Sequence, residues 1–198
     1  MSRGAALNVV KYAATQARLI GADVSPGRDK DDFYPTPPEA TQALLSVEVF
    51  EGDILEPACG DGAMSVVLEG AGYPVRSSDL VNRGYGESGL DFVGLGYPYR
   101  AANVVTNPPF KLALPFVNRA LEVADRKVAM LLKVAFLEGV ERGEMFRRTP
   151  LARVWVFSKR VTFRNTKRGE VSGSGMMAFA WFVWEHGYQG RPTLGWLP

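Results

Sequence analysis

The sequence predicts an α/β fold: an open, mostly parallel seven-stranded sheet with helices on both faces and a C-terminal antiparallel hairpin. Two observations lead there. From residue 53 onward, short apolar runs alternate with segments of helical periodicity, the pattern of strand and crossover helix that gives a parallel sheet covered on both sides. The last two apolar runs, 152–157 and 177–184, are joined instead by a glycine- and charge-rich stretch with no helical pattern, so they pair antiparallel.

Taken in order, the expected strands are 53–57, 74–79, 91–95, 103–106, 127–133, 152–157 and 177–184, with helices over 62–71, 112–124 and 139–148. A further short helix is expected from Pro38 to about Val47, because proline's missing N–H is harmless in a first turn. Residues 1–30 read as an N-terminal extension and 31–198 as one domain. At 198 residues and 46% hydrophobic, the chain has enough for one sizeable core and too little for two ordinary domains.

The longest apolar stretch, 128–137, is broken by Lys133 and falls short of the roughly 20 residues of a membrane span. The N-terminus lacks the pattern of a secretory signal, and the single Cys59 has no internal partner; a cytoplasmic protein without membrane contact is expected. One cysteine and one histidine leave no basis for a Cys/His metal site, and His186 reads as a surface residue. The net charge is only +2, but nine cations face the single acid Glu144 between Arg142 and Arg168. A basic stretch on a net acidic remainder suggests a polyanionic partner on one side; a solvated charged face is the plain alternative.

After the first expected strand comes Glu56-Pro57-Ala58-Cys59-Gly60-Asp61-Gly62, then a helical stretch. Glycines at a strand-to-helix turn permit positive φ and close approach of the backbone to a ligand, although a tight connection would use them too. Asp79 ends the next apolar run about twenty residues later, where an acid can accept the hydroxyls of a ribose, and Asp91-Phe92 starts or precedes the third. A dinucleotide would require three spaced glycines and donors for a pyrophosphate. Here the turn carries Glu56 and Asp61, which oppose a phosphate and suit a ligand bearing an ammonium and a sulfonium, as S-adenosylmethionine does.

The fourth run leads directly into Asn107-Pro108-Pro109-Phe110. Two prolines make the turn rigid and supply no N–H to consume nearby carbonyls, so acceptors are left facing the crevice. An exocyclic amino group is a poor nucleophile because its lone pair is delocalised. Accepting its two hydrogens on the Asn107 oxygen and the Pro108 carbonyl would free that lone pair, and Phe110 would stack on the planar substrate. An ordinary Asn-Pro turn is the alternative for the motif alone.

In the order Asp32-Phe33-Tyr34-Pro35-Thr36-Pro37, Glu56 to Gly62, Asp79, Asp91-Phe92 and Asn107 to Phe110, the sequence resembles the class I S-adenosylmethionine-dependent amino-methyltransferases over about residues 31–184. In particular it resembles DNA adenine-N6 methyltransferases, and also small phage and prophage proteins of that type. The resemblance implies that Phe33, Tyr34, Pro35 and Thr36 cover the methionine end of the cofactor, with Thr36 at its carboxylate. It places Glu56, Ala58, Cys59, Gly60 and Asp61 along the methionine and ribose, Asp79 at the ribose hydroxyls with Leu80 beside it, and Asp91 and Phe92 on the adenine. Asn107, Pro108, Pro109 and Phe110 would position the target amine. Two departures bear on the substrate: Phe110 stands where the DNA enzymes usually carry Tyr or Trp, and no segment is long enough for a separate target-recognition domain.

The hairpin after the sixth run carries Lys159, Arg160, Phe163, Arg164, Lys167 and Arg168. Cations there would neutralise phosphates of DNA, or of RNA, while Phe163 would stack on a base turned out of its helix. Methylation of RNA adenine, cytosine N4 or a glutamine amide remains open, as does a non-catalytic nucleic-acid-binding subunit with the same fold. Trp181, Trp184, Trp196, Phe179 and Phe182 read as core.

Overall fold

A computed structural model describes residues 33–163 and 177–198. The expected N-terminal extension lies outside these residues. So do Arg164, Lys167 and Arg168 of the basic hairpin.

Eight strands form one sheet: β1 (Ile54–Glu56), β2 (Val75–Asp79), β3 (Glu87–Ser88), β4 (Ala101–Thr106), β5 (Ala124–Lys133), β6 (Leu151–Phe157), β7 (Phe179–Glu185) and β8 (Thr193–Leu197). Their spatial order is β3-β2-β1-β4-β5-β7-β6-β8. The pairs from β3 to β5 are all parallel, β7 runs antiparallel to both β5 and β6, and β8 is parallel to β6. The expected mixed sheet and its C-terminal reversal are therefore present.

Strand residues alternate between two cores, as a period of two requires. Ala180, Phe182 and Trp184 of β7 join Leu55, Val104, Val128 and Met130 on one face, beneath α3 (Ala113–Val123) and α4 (Val140–Arg148). Phe179, Trp181 and Val183 join Ile54, Val105, Ala129 and Leu131 on the other, beneath α1 (Pro38–Leu45) and α2 (Ala63–Gly70). On α3 the buried positions are Ala113, Phe116, Val117, Ala120 and Val123, the spacing of a helix with one apolar stripe. Trp181 ties α1 to the sheet by donating its indole N–H to the Ala40 carbonyl at 2.9 Å.

Three sequence expectations are corrected. Residues 91–95 form no strand: the Asp91 carboxylate accepts the Val93 N–H and its carbonyl accepts the Gly94 N–H, a turn that competes with extension. The third strand is instead the two-residue β3. An eighth strand adds to the seven expected; its interior Gly195, which weakens a strand pattern, is required because a Cβ there would lie 2.2 Å from the Trp155 ring. Trp196, on this edge strand, is 66% exposed rather than in the core.

The basic stretch is also divided. Arg147 and Arg148 close α4 near the start of β6, at the opposite end of the strand from Lys159 and Arg160. Arg153 belongs to neither surface, since it donates to Glu48 and Glu185. Glu48 is 3% exposed and also accepts from Lys127 Nζ at 3.0 Å and Trp155 Nε1 at 2.9 Å. Burial pushes its carboxyl up, but the Arg153, Trp155 and Lys127 hydrogen bonds outweigh this and hold it below the ordinary range. Replacing Glu48 by alanine removes the buried carboxylate shared by two half-buried cations, leaving Arg153 with Glu185 and Lys127 with the Val49 carbonyl, so Glu48→Ala is expected to cost about 3 kcal/mol in urea unfolding at neutral pH. A loss below about 0.5 kcal/mol would show the network to be no stronger than a surface pair.

Candidate active site

Strand order reverses between β1 and β4, which are hydrogen-bonded neighbours although not consecutive in the chain. In an open α/β sheet the crevice at such a reversal, beyond the carboxyl ends of the strands, is where ligands bind. The Glu56–Gly62 turn leaves β1 there, Asp79 ends β2, and Asn107 follows β4.

Gly60 and Gly62 adopt φ of +58° and +84°. A Cβ on Gly60 would fall 2.3 Å from Cε2 of Phe33, and one on Gly62 would fall 2.4 Å from the Tyr85 ring. The space expected for a ligand's approach is thus lined by aromatic rings of the chain lying on the glycine backbone. Arg83 caps Phe33, with its guanidinium carbon 4.1 Å from the ring centre. Asp79 braces the same turn: one carboxylate oxygen accepts the Gly60 N–H at 2.9 Å and the other the Val81 N–H at 2.8 Å. Leu80 beside it is 59% exposed.

Three acids surround the turn. Asp61 is exposed, Asp79 half-buried, and Glu56 is 2% exposed at the end of β1. Glu56 has Ser65 of α2 as its hydrogen-bond partner, and Ser65 Oγ lies 2.6 Å from Ser77 Oγ of β2. Burial pushes the Glu56 carboxyl up to about 8, with the nearby Asp79 and Asp61 adding to it against the Ser65 hydrogen bond. The Cys59 thiol is likewise pushed up to about 12 by burial and by Glu56 and Asp79, so it is neutral and no nucleophile. Ser65 and Ser77 were not singled out from sequence. The signal was a serine on the buried face of α2 between Met64 and Leu68.

At β4's end, Asn107 is oriented from one side only. Its amide nitrogen donates to the Tyr34 carbonyl at 3.4 Å and to Thr36 Oγ1 at 3.1 Å. A carbonyl can only accept, which fixes the side-chain orientation. Asn107 Oδ1 is then buried with no hydrogen-bond partner among the described residues. The Pro109 carbonyl takes the Leu112 N–H at 2.8 Å, whereas the Pro108 carbonyl accepts no backbone N–H among the described residues. Thr36, 6% exposed, therefore holds Asn107, a different use of its hydroxyl from the cofactor contact that the resemblance implied.

Phe110 lies in an aromatic group. Tyr34 is nearly parallel to it at 6.4 Å between centres, Phe179 is tilted at 5.5 Å, and Lys133 Nζ is 4.7 Å from its ring centre. Phe163 packs against Tyr34 and Phe179 and is 8% exposed, so it belongs to this group instead of projecting from the hairpin. Lys159 and Arg160 are exposed just before it. Pro35 is half-buried, as are Phe33, Tyr34 and Ala58. Asp91 is exposed, but Phe92 is a core residue, with Tyr97 and Phe116 each 5.0 Å from its ring; the face expected against an adenine is occupied by packing. His186 is exposed, no helix among the described residues is long and apolar enough to cross a membrane, and no metal-ligating cluster is found among them.

Comparison with solved structures decides the fold. A protein assigned as an RNA methyltransferase from Pyrococcus horikoshii matches with a TM-score of 0.60 and 15% identity, over 87% of this chain and 98% of its own. A protein assigned as a class I S-adenosylmethionine-dependent methyltransferase from Listeria monocytogenes matches at 0.58 and 11% identity, over 93% and 72%. The fold is that of the class I methyltransferases. A modification subunit assigned to a type I restriction enzyme from Vibrio vulnificus matches at 0.54 and 13% identity, covering 90% of this chain and 49% of that one, so the present methyltransferase fold spans about half of that length. No family model and no curated protein matches the sequence.

The buried Glu56 carboxyl makes stability depend on pH. Its folded pKa of about 8 lies above the ordinary 4.5, so the contribution is fully present below about 4.5 and lost as pH rises through 8. Glu56→Gln removes the ionisation while keeping the shape. Its urea-unfolding free energy should gain on wild type by up to about 1.4 kcal/mol per pH unit between those limits. A difference that stays constant from pH 5 to pH 8 would contradict the placement of this carboxyl.

Proposed function

We propose that this chain transfers a methyl group from S-adenosylmethionine to the exocyclic N6 amino group of adenine in DNA. The observation that carries the reading is Asn107, whose carbonyl oxygen is buried, oriented and without a partner among the described residues, at the strand-order reversal. A buried acceptor in that state is costly unless a ligand donates to it. With the Pro108 carbonyl it offers two acceptors to the two hydrogens of an amino group.

The residues around the turn fit the cofactor. Asp79 keeps lone pairs beyond its two backbone bonds for ribose hydroxyls, the exposed Leu80 offers an apolar face for an adenine, and Glu56, Asp61 and Asp79 favour a ligand with an ammonium group. When bound, S-adenosylmethionine supplies an electrophilic methyl carbon on a sulfonium. Asn107 and Pro108 hold the amino nitrogen with its lone pair free, Thr36 and Tyr34 hold Asn107, and Phe110 gives the planar base a stacking surface. Lys159 and Arg160 supply charge for a phosphate backbone at the rim.

Methylation of adenine in RNA is the second reading, favoured by Phe110 in place of the Tyr or Trp usual in DNA enzymes. Incubation with methyl-labelled cofactor and unmethylated DNA or RNA, followed by digestion to nucleosides, separates the two. N6-methyladenine from DNA is expected; label confined to RNA transfers the assignment, and no label in either polymer rejects both. Asn107→Ala should lower kcat by about two to three orders of magnitude, as loss of a site's main polar contact does, while cofactor affinity measured by calorimetry changes less than about threefold.

A further inference from the structure

The turn below the cofactor crevice contains a buried acid with no cation to balance it among the described residues. Glu56 meets the hydroxyl of Ser65 and, through it, that of Ser77. The titratable groups facing it are Asp61 and Cys59 from its own turn, Asp79 from β2 and Tyr85 from the segment after β2, all acids. From α2, Ser65 hydrogen-bonds it. Ionising such a group is strongly unfavourable until a positive charge arrives.

Two serine hydroxyls in series accommodate either form of the acid, because each both donates and accepts. With Glu56 neutral, its O–H donates to Ser65, which donates to Ser77. With Glu56 ionised, Ser77 donates to Ser65 and Ser65 to the carboxylate. Both arrangements keep the Glu56–Ser65 and Ser65–Ser77 hydrogen bonds, so the charge brought by a ligand selects between them.

We propose that Glu56 rests as a neutral carboxylic acid and ionises when the ammonium of the cofactor binds at the turn, releasing one proton to solvent. The O–H bond breaks, its electron pair stays on the carboxylate, and Ser65 and Ser77, as positioning residues, reverse their hydrogen bonds to hold the anion. This rests on the cofactor reading above. It makes cofactor affinity rise by up to tenfold per pH unit across the range in which the free protein holds this proton and the complex does not.

The test is a titration of side-chain carboxyl carbons in protein labelled with carbon-13 glutamate, alone and with S-adenosylhomocysteine, which carries the ammonium, or 5′-methylthioadenosine, which does not. One glutamate should titrate well above the rest in the free protein and vanish in Glu56→Gln. It should be ionised at pH 7 with S-adenosylhomocysteine and remain neutral with methylthioadenosine. Calorimetry in buffers of different ionisation enthalpy should record about one proton released with the first ligand and none in Glu56→Gln. Ser65→Ala should move the titration upward, whereas a merely structural serine would leave it in place. Glu56 already ionised at pH 6 in the free protein, or equal ionisation by both ligands, overturns the proposal alone. Failure of S-adenosylhomocysteine to bind at any pH overturns the cofactor reading and the proposal with it.

Discussion

The parallel pairing of β1 with β4 governs the rest of the site. Register Ile54↔Asn103 and Leu55↔Val104 sets the strands side by side, so the turn after Glu56 and the turn after Thr106 emerge next to each other. Neither turn is a site alone: one is an acidic, glycine-containing loop, the other an Asn-Pro-Pro rigid corner. The topology that separates them by some fifty residues in sequence brings them to one crevice, and the apolar faces of β4 and β5 keep it there by burial on both sides.

Within that frame, the polar atoms are left in an unfinished state. Asn107 is held by its nitrogen and offers an oxygen with no partner among the described residues. Glu56 is buried among acids, with hydroxyls for support among the described residues. Glu48, at the other end of the sheet, shows the contrast: an equally buried glutamate there is met by Arg153, Lys127 and Trp155 and is held ionised. A satisfied acid braces the scaffold, whereas the unsatisfied one lies where a charged ligand would complete it.

Most of the sheet was legible because alternation of apolar strands and amphipathic helices is a local signal that tertiary packing reinforced. The antiparallel reversal was legible from the lack of helical pattern between β6 and β7. Residues 91–95 misled because Phe92 is apolar for a core reason, while Asp91 and Gly94 close a turn around it. β8 was hidden by Gly195, whose meaning lies in the ring of Trp155 and cannot be read along the chain. At the site, the motif residues were visible, but their supports were not: Thr36 as the holder of Asn107, Phe33 and Tyr85 against the two glycines, and the Ser65–Ser77 pair are contacts between segments distant in sequence. Charge counting along 142–168 likewise could not tell that Arg153 is consumed by Glu48.

The most direct test of the account is a crystal structure of the protein with S-adenosylhomocysteine. The ribose hydroxyls should lie on the Asp79 carboxylate and the sulfur should face the Asn107 oxygen, which should still have no protein donor. A ligand bound away from the Glu56–Gly62 turn, or an Asn107 oxygen turned onto a donor of the chain itself, would contradict the central claim that the β1–β4 junction joins a cofactor turn to an amine-holding one.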